Sequence, residues 1–512
     1  MMNGRGKSDS AIVAGKPTNK AGQPAAESVE PSAEAEGNAS QQSTRRAQDR
    51  ESVSQALERI RQVARQRKKE RFTSLFHHIS VELLRVAFFA LKRDAAPGVD
   101  GLTWQDYEAD LDRKIEDLHA RVHRGAYRAL PSRRHYIPKA DGQQRPLAIA
   151  ALEDKIVQKA ACAVLNAIYE EDFLGFSYGF RPKRSQHDAL DALITGIHCT
   201  KVNYIFDADL RSFFDSVSQQ WLIRFLKHRI NDTRMLRLIQ KWLKAGVLED
   251  GVLTVSDRGT GQGSVISPLL ANVYLHYVFD LWAERWPHRE AVGNVIIVRY
   301  SDDLIIGFEL DKDARRFQEA MCDRLREFSL SLHPEKTRLI EFGRFAVERR
   351  AHRRLGKPET FNFLGFTLIC GTSSGGQFQI KRKTRRDRMR AKLKEIKEEM
   401  RQRRHHSIPE QGHWLKQVVT GFFAHHAVPT NIWSLGMFRF RLIDLWRRSL
   451  RRRSQKDGTT WRRITKLAND SKRASPSNTR GGSRVPKWGP LGSVRGALSN
   501  DRPLYVAGCF SK

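Results

Sequence analysis

Two adjacent carboxylates interrupt a run of strand-forming residues in the segment VRYSDDLIIGF, residues 298–308. Asp302 and Asp303 could simply form a turn, because an Asp side chain readily bonds to its own backbone. The alternative is that a cation holds the pair, since Mg²⁺ prefers oxygen ligands and is usually bound by one or two carboxylates together with substrate phosphates. That alternative predicts a second acidic strand elsewhere in the chain and a basic protein that attracts a polyanion.

The segment YIFDADLRSFFDSV, residues 204–217, supplies the second acidic strand. Asp207 and Asp209 are two positions apart, so both side chains leave the same face of a strand. Carboxylates brought together have raised pKa values unless a cation neutralises them. Two Mg²⁺ ions between carboxylates and phosphates promote in-line attack by a 3′-hydroxyl on a nucleoside triphosphate. Spacing does not choose between Asp207 and Asp209.

The overall charge favours a nucleic-acid partner. The chain has 90 Lys and Arg against 57 Asp and Glu, a formal charge of +33, and counterion release would strengthen its binding to a polyanion. No stretch approaches the roughly 18 apolar residues of a membrane-spanning helix, and no signal-peptide pattern opens the sequence. Five scattered cysteines without a C-x-x-C pair indicate a reducing compartment and no cysteine-based zinc site.

Hydrophobic periodicity predicts the elements that must position the acidic residues. Residues 1–50 lack Phe, Tyr and Trp and are predicted to be a disordered tail, as are the Ser-, Gly- and Arg-rich residues 471–512. The segment RHYIPKADGQQRPLAIA predicts two short strands joined by an Asp-Gly turn. Apolar residues recurring every four positions predict the buried face of a helix: Leu152, Ile156, Ala160, Val164 and Ile168. Helices and strands alternate up to about residue 345, an α+β pattern, and a basic helical region follows Lys381.

Eight motifs carry a resemblance to a known family. DLRSFFD, GQGSVISPLLANVYL, YSDD, LHPEKTRLIEFG and FNFLGFTL occur in the order seen in reverse transcriptases. Together with PGVDGLTW, RPLAIAALEDKIVQKA and GFRPKRSQHDAL, they most resemble the group II intron-encoded reverse transcriptase/maturases over roughly residues 70–470. The resemblance implies a right-hand polymerase followed by an all-α domain. Its parts would be an N-terminal extension and fingers (51–200), a palm with the catalytic hairpin (201–370) and a thumb/maturase domain (371–470).

The resemblance also assigns the catalytic residues. In this family the catalytic Asp of the first acidic motif lies five residues before an aromatic that excludes the ribose 2′-hydroxyl, and Asp209 and Phe214 have that spacing. Asp209 and Asp302 would bridge two Mg²⁺ ions, and Asp303 would complete the catalytic, metal-binding set. Asp207 would then be a neighbour rather than a ligand. Phe214 could instead be an ordinary core residue beside Phe213, so its role in sugar selection stays one of two interpretations.

Other matching positions would bind the nucleotide and the primer. Lys139 and Arg145 would hold the triphosphate, a role suited to the compact ammonium of a lysine and the planar guanidinium of an arginine. Gln262 would contact the incoming nucleotide, although Gly261 replaces the usual preceding Pro. Tyr300 would lie under the primer terminus, with Ser301 in place of the usual Ala. A weaker candidate for protonating the pyrophosphate leaving group is Lys336.

The basic C-terminal region resembles the family's maturase domain, which binds the intron RNA. Four aromatic residues are predicted to form its helical core: Trp433, Phe438, Phe440 and Trp446. Four arginines are predicted to face RNA: Arg447, Arg448, Arg451 and Arg452. Some relatives also carry a zinc-containing endonuclease domain, and none is expected here because no His/Asn/Cys cluster follows residue 470.

The resemblance implies an RNA-directed DNA polymerase that acts as a ribonucleoprotein in group II intron splicing and retrohoming, in the bacterial cytoplasm and associated with nucleic acid. Its partners would be intron RNA, a DNA target or primer and deoxynucleoside triphosphates, with no membrane, and the working unit is left open between monomer and homodimer. One alternative is an RNA-binding splicing cofactor without polymerase activity, which the intact set of carboxylates disfavours. Another is a reverse transcriptase recruited to bacterial defence, which the maturase-like segment disfavours.

Overall fold

The computed structural model describes residues 33–138, 144–453 and 459–470. The helices are α1 (Ala33–Gln66), α2 (Val81–Phe89), α3 (Trp104–Glu108), α4 (Leu111–His123), α5 (Leu152–Asp172), α6 (Gln186–Cys199), α7 (Phe213–Ser216), α8 (Gln219–Leu226), α9 (Thr233–Lys244), α10 (Ser267–Leu275), α11 (Leu281–Glu290), α12 (Asp311–Glu327), α13 (Ala346–His352), α14 (Arg386–Gln402), α15 (Ile408–His426), α16 (Ile432–Arg451) and α17 (Trp461–Asp470). Short 3₁₀ turns span Phe76–His78 and Arg403–His405, and a π-helical turn spans His276–Asp280.

The strands form three sheets in the described part of the chain. They are β1 (Ser132–Pro138), β2 (Gln144–Ile149), β3 (Tyr204–Asp209), β4 (Val247–Glu249), β5 (Val252–Thr254), β6 (Val295–Tyr300), β7 (Asp303–Phe308), β8 (Arg338–Glu341), β9 (Phe361–Phe363), β10 (Phe366–Thr372) and β11 (Phe378–Thr384). The N-terminal sheet has the order β2-β1-β4-β5, the central sheet β6-β7-β3-β8, and the third sheet β11-β10-β9. Mixed helices and mainly antiparallel strands fit the predicted α+β pattern.

The central sheet is antiparallel throughout and is covered on both faces. Alternate residues of a strand point to opposite faces. Phe206 and Ile306 therefore join one core cluster with side chains of α12, whereas Ile205 and Ile305 join a second with side chains of α6. The predicted strand YIFDAD is confirmed as β3. Its two carboxylates lie on the same face as Ile205, toward the end where the β6–β7 hairpin turns.

The predicted strand pair and the predicted amphipathic helix are both confirmed. β1 and β2 pair antiparallel, with Arg133 opposite Ile149, while the predicted Asp-Gly turn between them lies outside the described residues. α5 packs against α1 and α2. All five residues of its predicted apolar stripe are buried, and burying each large aliphatic side chain contributes roughly 1.5–3 kcal/mol. This helix follows β2 directly, and its buried side chains belong to the core cluster that also contains Phe206 and Ile306.

The predicted tail boundary at residue 50 falls inside the first described helix. α1 starts at Ala33 and runs to Gln66. Near residue 50 it is tied to α2, because the buried Asp49 carboxylate accepts a hydrogen bond of 2.8 Å from Arg85 and Arg46 lies 3.9 Å above the Phe89 ring. These contacts come from residues distant in sequence, so the composition of the segment could not indicate them. The remaining predicted tail, residues 1–32, and the predicted tail 471–512 lie outside the described residues.

The C-terminal helices have a core of their own, with side chains from α14 to α17. Phe438 and Trp446 are buried in it as predicted, but Trp433 and Phe440 are exposed, so the predicted core is wrong at those two positions. The predicted palm–thumb boundary at residue 370 falls inside β10, and the third sheet continues to Thr384 before α14 begins. No helix in the described part of the chain combines the length and the apolar character needed to cross a membrane.

Candidate active site

The two carboxylates of the opening motif lie at the tip of the β6–β7 hairpin. Tyr300 pairs with Asp303, which leaves Ser301 and Asp302 as a two-residue turn. Ser301 has a φ of 60°, in the left-handed region that non-glycine residues rarely occupy. A Cβ atom on Gly179 would collide with the Ser301 backbone nitrogen, so this position requires glycine. The left-handed turn and the close approach of Gly179 restrict the backbone that carries the two carboxylates.

The two acidic residues of β3 differ in their strand register. Asp209 is directly opposite Asp303 across the β3–β7 ladder, whereas Asp207 is opposite Ile305. Directly opposed residues of an antiparallel pair share a face, with Cβ atoms roughly 4.5–5.5 Å apart. The structure therefore brings together Asp209 and Asp303, with Asp302 adjacent in the turn.

The carboxylates of this site repel each other and are poorly solvated. Desolvation raises the pKa of Asp303 to about 7, with the like charge of Asp302 as the next cause. Desolvation also raises the pKa of Asp302 and brings that of Asp207 to about 6. Asp303 nevertheless stays accessible from solvent, so an incoming cation can reach it and relieve the repulsion.

Two cations face the acidic strand: Lys336, just before β8, and Arg338, the first residue of β8. The Nζ atom of Lys336 lies 3.0 Å from Oδ2 of Asp209, and a guanidinium nitrogen of Arg338 lies 3.4 Å from Oδ2 of Asp207. Arg338 is also directly opposite Asp207 in the β3–β8 ladder. Asp207 therefore has its counter-charge within the sheet, whereas the partner of Asp209 is a lysine outside the sheet whose side chain is 62% exposed.

A buried arginine that the sequence analysis missed holds the hairpin tip. The side chain of Arg299 is fully buried and donates two hydrogen bonds of 2.7 Å to the equally buried Asp280 carboxylate. It also donates to Asn272 Oδ1 at 3.0 Å, to Ser177 Oγ at 2.6 Å and to the carbonyl of Ser301 at 3.1 Å. The signal was an arginine within the apolar run VIIVRY, since a buried charge must be paired.

The donor set suits a hard cation. Among the residues the structure describes, no group of three or more His, Cys, Asp or Glu side chains is arranged to hold a metal ion. The oxygen donors present are the carboxylates of Asp209, Asp302 and Asp303, and Asp303 is exposed to solvent. Mg²⁺ commonly takes only one or two carboxylates and completes its shell with water and substrate phosphates. The residues at this site therefore fit Mg²⁺ without forming a closed cage.

Arg145, which the sequence analysis predicts to hold the triphosphate, lies near the carboxylates. It is exposed on β2 and close enough to Asp302 for its positive charge to lower the pKa of that carboxyl, against the larger effect of desolvation. The second predicted triphosphate residue, Lys139, lies outside the described residues.

Gln262 lies beside β2 and lines a cavity of about 200 Å³. Its backbone carbonyl accepts a hydrogen bond of 2.6 Å from the Ala148 amide. Gly263, at a φ of 113°, permits this approach, because a Cβ atom there would lie 3.0 Å from the Ala148 carbonyl oxygen. A Cβ atom on Gly261 would lie 3.3 Å from the Ala148 side chain, so glycine at this position allows close packing against the strand.

Phe214 is distinguished from its neighbour by burial. Phe213 is 2% exposed and belongs to the core, whereas Phe214 is only partly buried. Their rings meet edge to face with centroids 5.5 Å apart. Phe214 also packs against this core, but part of its side chain stays exposed.

The four arginines predicted to face RNA do not share one environment. Arg447 is only 18% exposed, bonds to Asp444 at 3.1 Å and lies 4.8 Å above the Trp461 ring, so it contributes to packing. The other three are exposed: Arg448, Arg451 and Arg452.

The mixed α/β fold, with acidic residues meeting at the tip of a two-stranded hairpin, fits the class of nucleic-acid polymerases. Residues 137–368 match the family model described as reverse transcriptase (RNA-dependent DNA polymerase). The chain is 32% identical over 320 residues to Protein YkfC of Escherichia coli strain K12, an alignment covering 56% of this chain and 78% of that protein. The chain belongs to the family of group II intron-encoded reverse transcriptase/maturases, a group of RNA-directed DNA polymerases.

Two further relatives are named for introns. Group II intron-encoded protein LtrA of Lactococcus lactis subsp. cremoris is 34% identical over 222 residues, which are 43% of this chain and 37% of that protein. An uncharacterized 91 kDa protein in the cob intron of Schizosaccharomyces pombe is 41% identical over 242 residues, 47% of this chain and 29% of that protein. The chain thus spans most of the bacterial protein YkfC but only about a third of these two relatives.

Proposed function

We propose that this chain polymerises DNA on an RNA template and also binds its intron RNA as a maturase, promoting group II intron splicing and retrohoming. The observation that carries the proposal is the register that sets Asp209 opposite Asp303, with Asp302 beside them. Three carboxylates with no fixed metal cage suit a reaction whose substrate brings its own phosphates. The partners are intron RNA, a DNA primer or target and deoxynucleoside triphosphates.

The architecture supports an assignment of polymerase parts. In this proposal the N-terminal sheet with α1–α6 forms the N-terminal extension and fingers, and the central sheet forms the palm. The third sheet extends the palm to Thr384, and α14–α17 form the thumb/maturase domain. A separate core within α14–α17 is consistent with a domain that contacts nucleic acid independently of the palm.

The chemistry is a transfer of a nucleotide to the primer 3′-hydroxyl. Asp209, Asp302 and Asp303 would hold two Mg²⁺ ions, which supply Lewis-acid activation of the hydroxyl and neutralise charge on the phosphates. Lys336 neutralises Asp209 in the free protein. Its exposed ammonium can turn to the leaving pyrophosphate and donate a proton there. Tyr300, adjacent to the turn in β6, supports the primer terminus.

The activity is tested by primer extension on poly(rA)/oligo(dT). We expect incorporation of dTMP in Mg²⁺ that stops when the metal is chelated and resumes when Mg²⁺ is added in excess. Incorporation that continues in the chelator would contradict the proposed site. The maturase role is tested separately, by splicing of the flanking RNA at moderate salt with and without the protein, where faster splicing with protein is expected.

Arg145 gives a prediction about nucleotide binding. Replacing it by Ala should raise the KM for deoxynucleoside triphosphate by roughly 10- to 100-fold, because a charge-assisted contact to phosphate contributes about 1.5–3 kcal/mol. Steady-state primer extension at varied nucleotide concentration measures this. Arg128, another arginine exposed before β1, is the matched control and should leave KM unchanged on replacement by Ala. A fall in kcat alone would assign Arg145 a different role.

Phe214 gives a prediction about sugar selection. Replacing it by Ala or Val should increase ribonucleotide incorporation relative to deoxynucleotide by on the order of tenfold, because removing the ring opens space for a 2′-hydroxyl. The ratio of kcat/KM for rTTP and dTTP measures the effect. Replacing the buried Phe213 by Leu should lower stability but leave this ratio unchanged. Unaltered selectivity in both Phe214 variants would mean that Phe214 only packs.

A further inference from the structure

One face of α16 exposes a row of large apolar side chains. Trp433 is 86% exposed, Met437 51% and Phe440 53%. Their spacing of four and three residues puts them on one side of the helix. At the end of the row, Trp461 of α17 stacks on Phe440, with ring centroids 5.3 Å apart and an angle of 9° between the rings. We call these four residues, three aromatic residues and one methionine, the aromatic stripe.

The helix does not need this face for its own packing. The opposite face of α16 is buried in the core of the C-terminal helices, through Phe438, Leu442, Trp446 and Leu450. Single exposed apolar residues are ordinary on protein surfaces, but a row of them indicates an interaction site. The exposed indole of Trp433 is therefore available to a partner.

The charges around the aromatic stripe restrict the kind of partner. Exposed cations occupy the neighbouring turns of both helices: Arg441, Arg448, Arg451, Arg452, Arg462, Arg463 and Lys466. The single carboxylate of α16, Asp444, is bound by Arg447 and Arg448. A second copy of this chain would bring like charges together at this surface. A partner with negative charge and flat apolar faces avoids that repulsion, and unpaired nucleotides have both properties.

We propose that the aromatic stripe is a stacking platform for unpaired bases of RNA, with the surrounding arginines contacting the phosphates. This inference rests on the proposed RNA-binding role and specifies which part of an RNA the C-terminal helices recognise. Bases of a paired stem are stacked on one another and cannot lie on the Trp433 ring. Loops and junctions of a folded RNA expose bases that can.

The test compares two labelled RNAs by fluorescence anisotropy with the full-length chain. One is a hairpin with about ten unpaired loop nucleotides, and the other is a paired duplex with the same number of phosphates. Trp433→Ala should weaken binding of the loop RNA by about tenfold, leave duplex binding unchanged and keep the salt dependence, because no phosphate contact is removed. Trp433→Phe should retain most of the affinity, because a ring still stacks.

Two control variants separate stacking from charge. Phe345→Ala removes an exposed aromatic residue at the start of α13 and should bind both RNAs as the wild type does. Arg451→Ala should weaken both RNAs alike and reduce the slope of affinity against salt by about one phosphate contact.

Several results would overturn the inference. These are unchanged loop binding by Trp433→Ala, equal weakening of loop and duplex by that variant, or no preference of the wild type for the loop RNA. Conversion of a wild-type dimer to monomers by Trp433→Ala, seen by sedimentation equilibrium, would instead assign the stripe to a contact between copies. Primer extension by the wild type is measured alongside. It distinguishes a stripe that does not stack RNA bases from a protein that lacks the proposed polymerase activity.

Discussion

Replacing Asp302 by Ala should reduce primer extension on an RNA template by on the order of a thousandfold or more. Asp302 is the carboxylate at the turn of the hairpin, beside the opposed pair Asp209 and Asp303. In the proposed mechanism, removing it takes away a ligand for the cations that stabilise charge in the transition state. Such stabilisation is worth several kcal/mol, and each 1.36 kcal/mol changes the rate tenfold. Single-turnover incorporation of one deoxynucleotide at saturating Mg²⁺ measures the loss.

The matched control is Asp215→Ala, which removes an exposed carboxylate in the first turn of α7. It should leave the rate within a fewfold of the wild type. Asp302→Ala should keep its affinity for intron RNA, because the C-terminal helices have a core separate from the central sheet. Equal rates for Asp302→Ala and the wild type would rule out the proposed site. Loss of RNA binding together with polymerisation would indicate general unfolding instead.

Replacing Arg299 by Met should lower the free energy of unfolding by about 3–5 kcal/mol, because it leaves the fully buried carboxylate of Asp280 without its cation. The same change removes the hydrogen bond to the Ser301 carbonyl that holds the hairpin tip. We therefore expect primer extension to fall by more than the loss of folded protein explains. Urea unfolding, and kcat measured on the folded fraction, test the two effects.

A surface arginine provides the comparison for this variant. Arg316 pairs with Glu290 where both side chains are about half exposed, and Arg316→Met should cost under about 1 kcal/mol. Adding Asp280→Asn to Arg299→Met should restore part of the lost stability, since it removes the uncompensated charge. If Arg299→Met is as stable and as active as Arg316→Met, the buried network does not position the hairpin.

Local sequence patterns were sufficient to predict helices and strands such as α5 and β3 and to indicate the kind of chemistry. The apolar repeat every four residues predicted α5, because the repeat shows which side of a helix avoids water, and the segment YIFDAD was predicted to be the strand that is now β3. The two acidic segments, with a large excess of basic residues, predicted carboxylates that act on a polyanion. The eight motifs, which occur in the order seen in reverse transcriptases, indicated the family.

Three features depended on contacts between distant segments. The spacing of Asp207 and Asp209 left both open, and only the family resemblance favoured Asp209. The register that sets Asp209 opposite Asp303 is a tertiary feature, because spacing along one strand cannot say which residue lies opposite a given residue of a neighbouring strand. The pairing of Arg299 with Asp280 is invisible in sequence, since burial of a charge depends on what surrounds it. Trp433 and Phe440 were predicted to be buried and are exposed, for the same reason. Helical periodicity gives the direction of a side chain, and only the packing of other helices determines whether that side is covered.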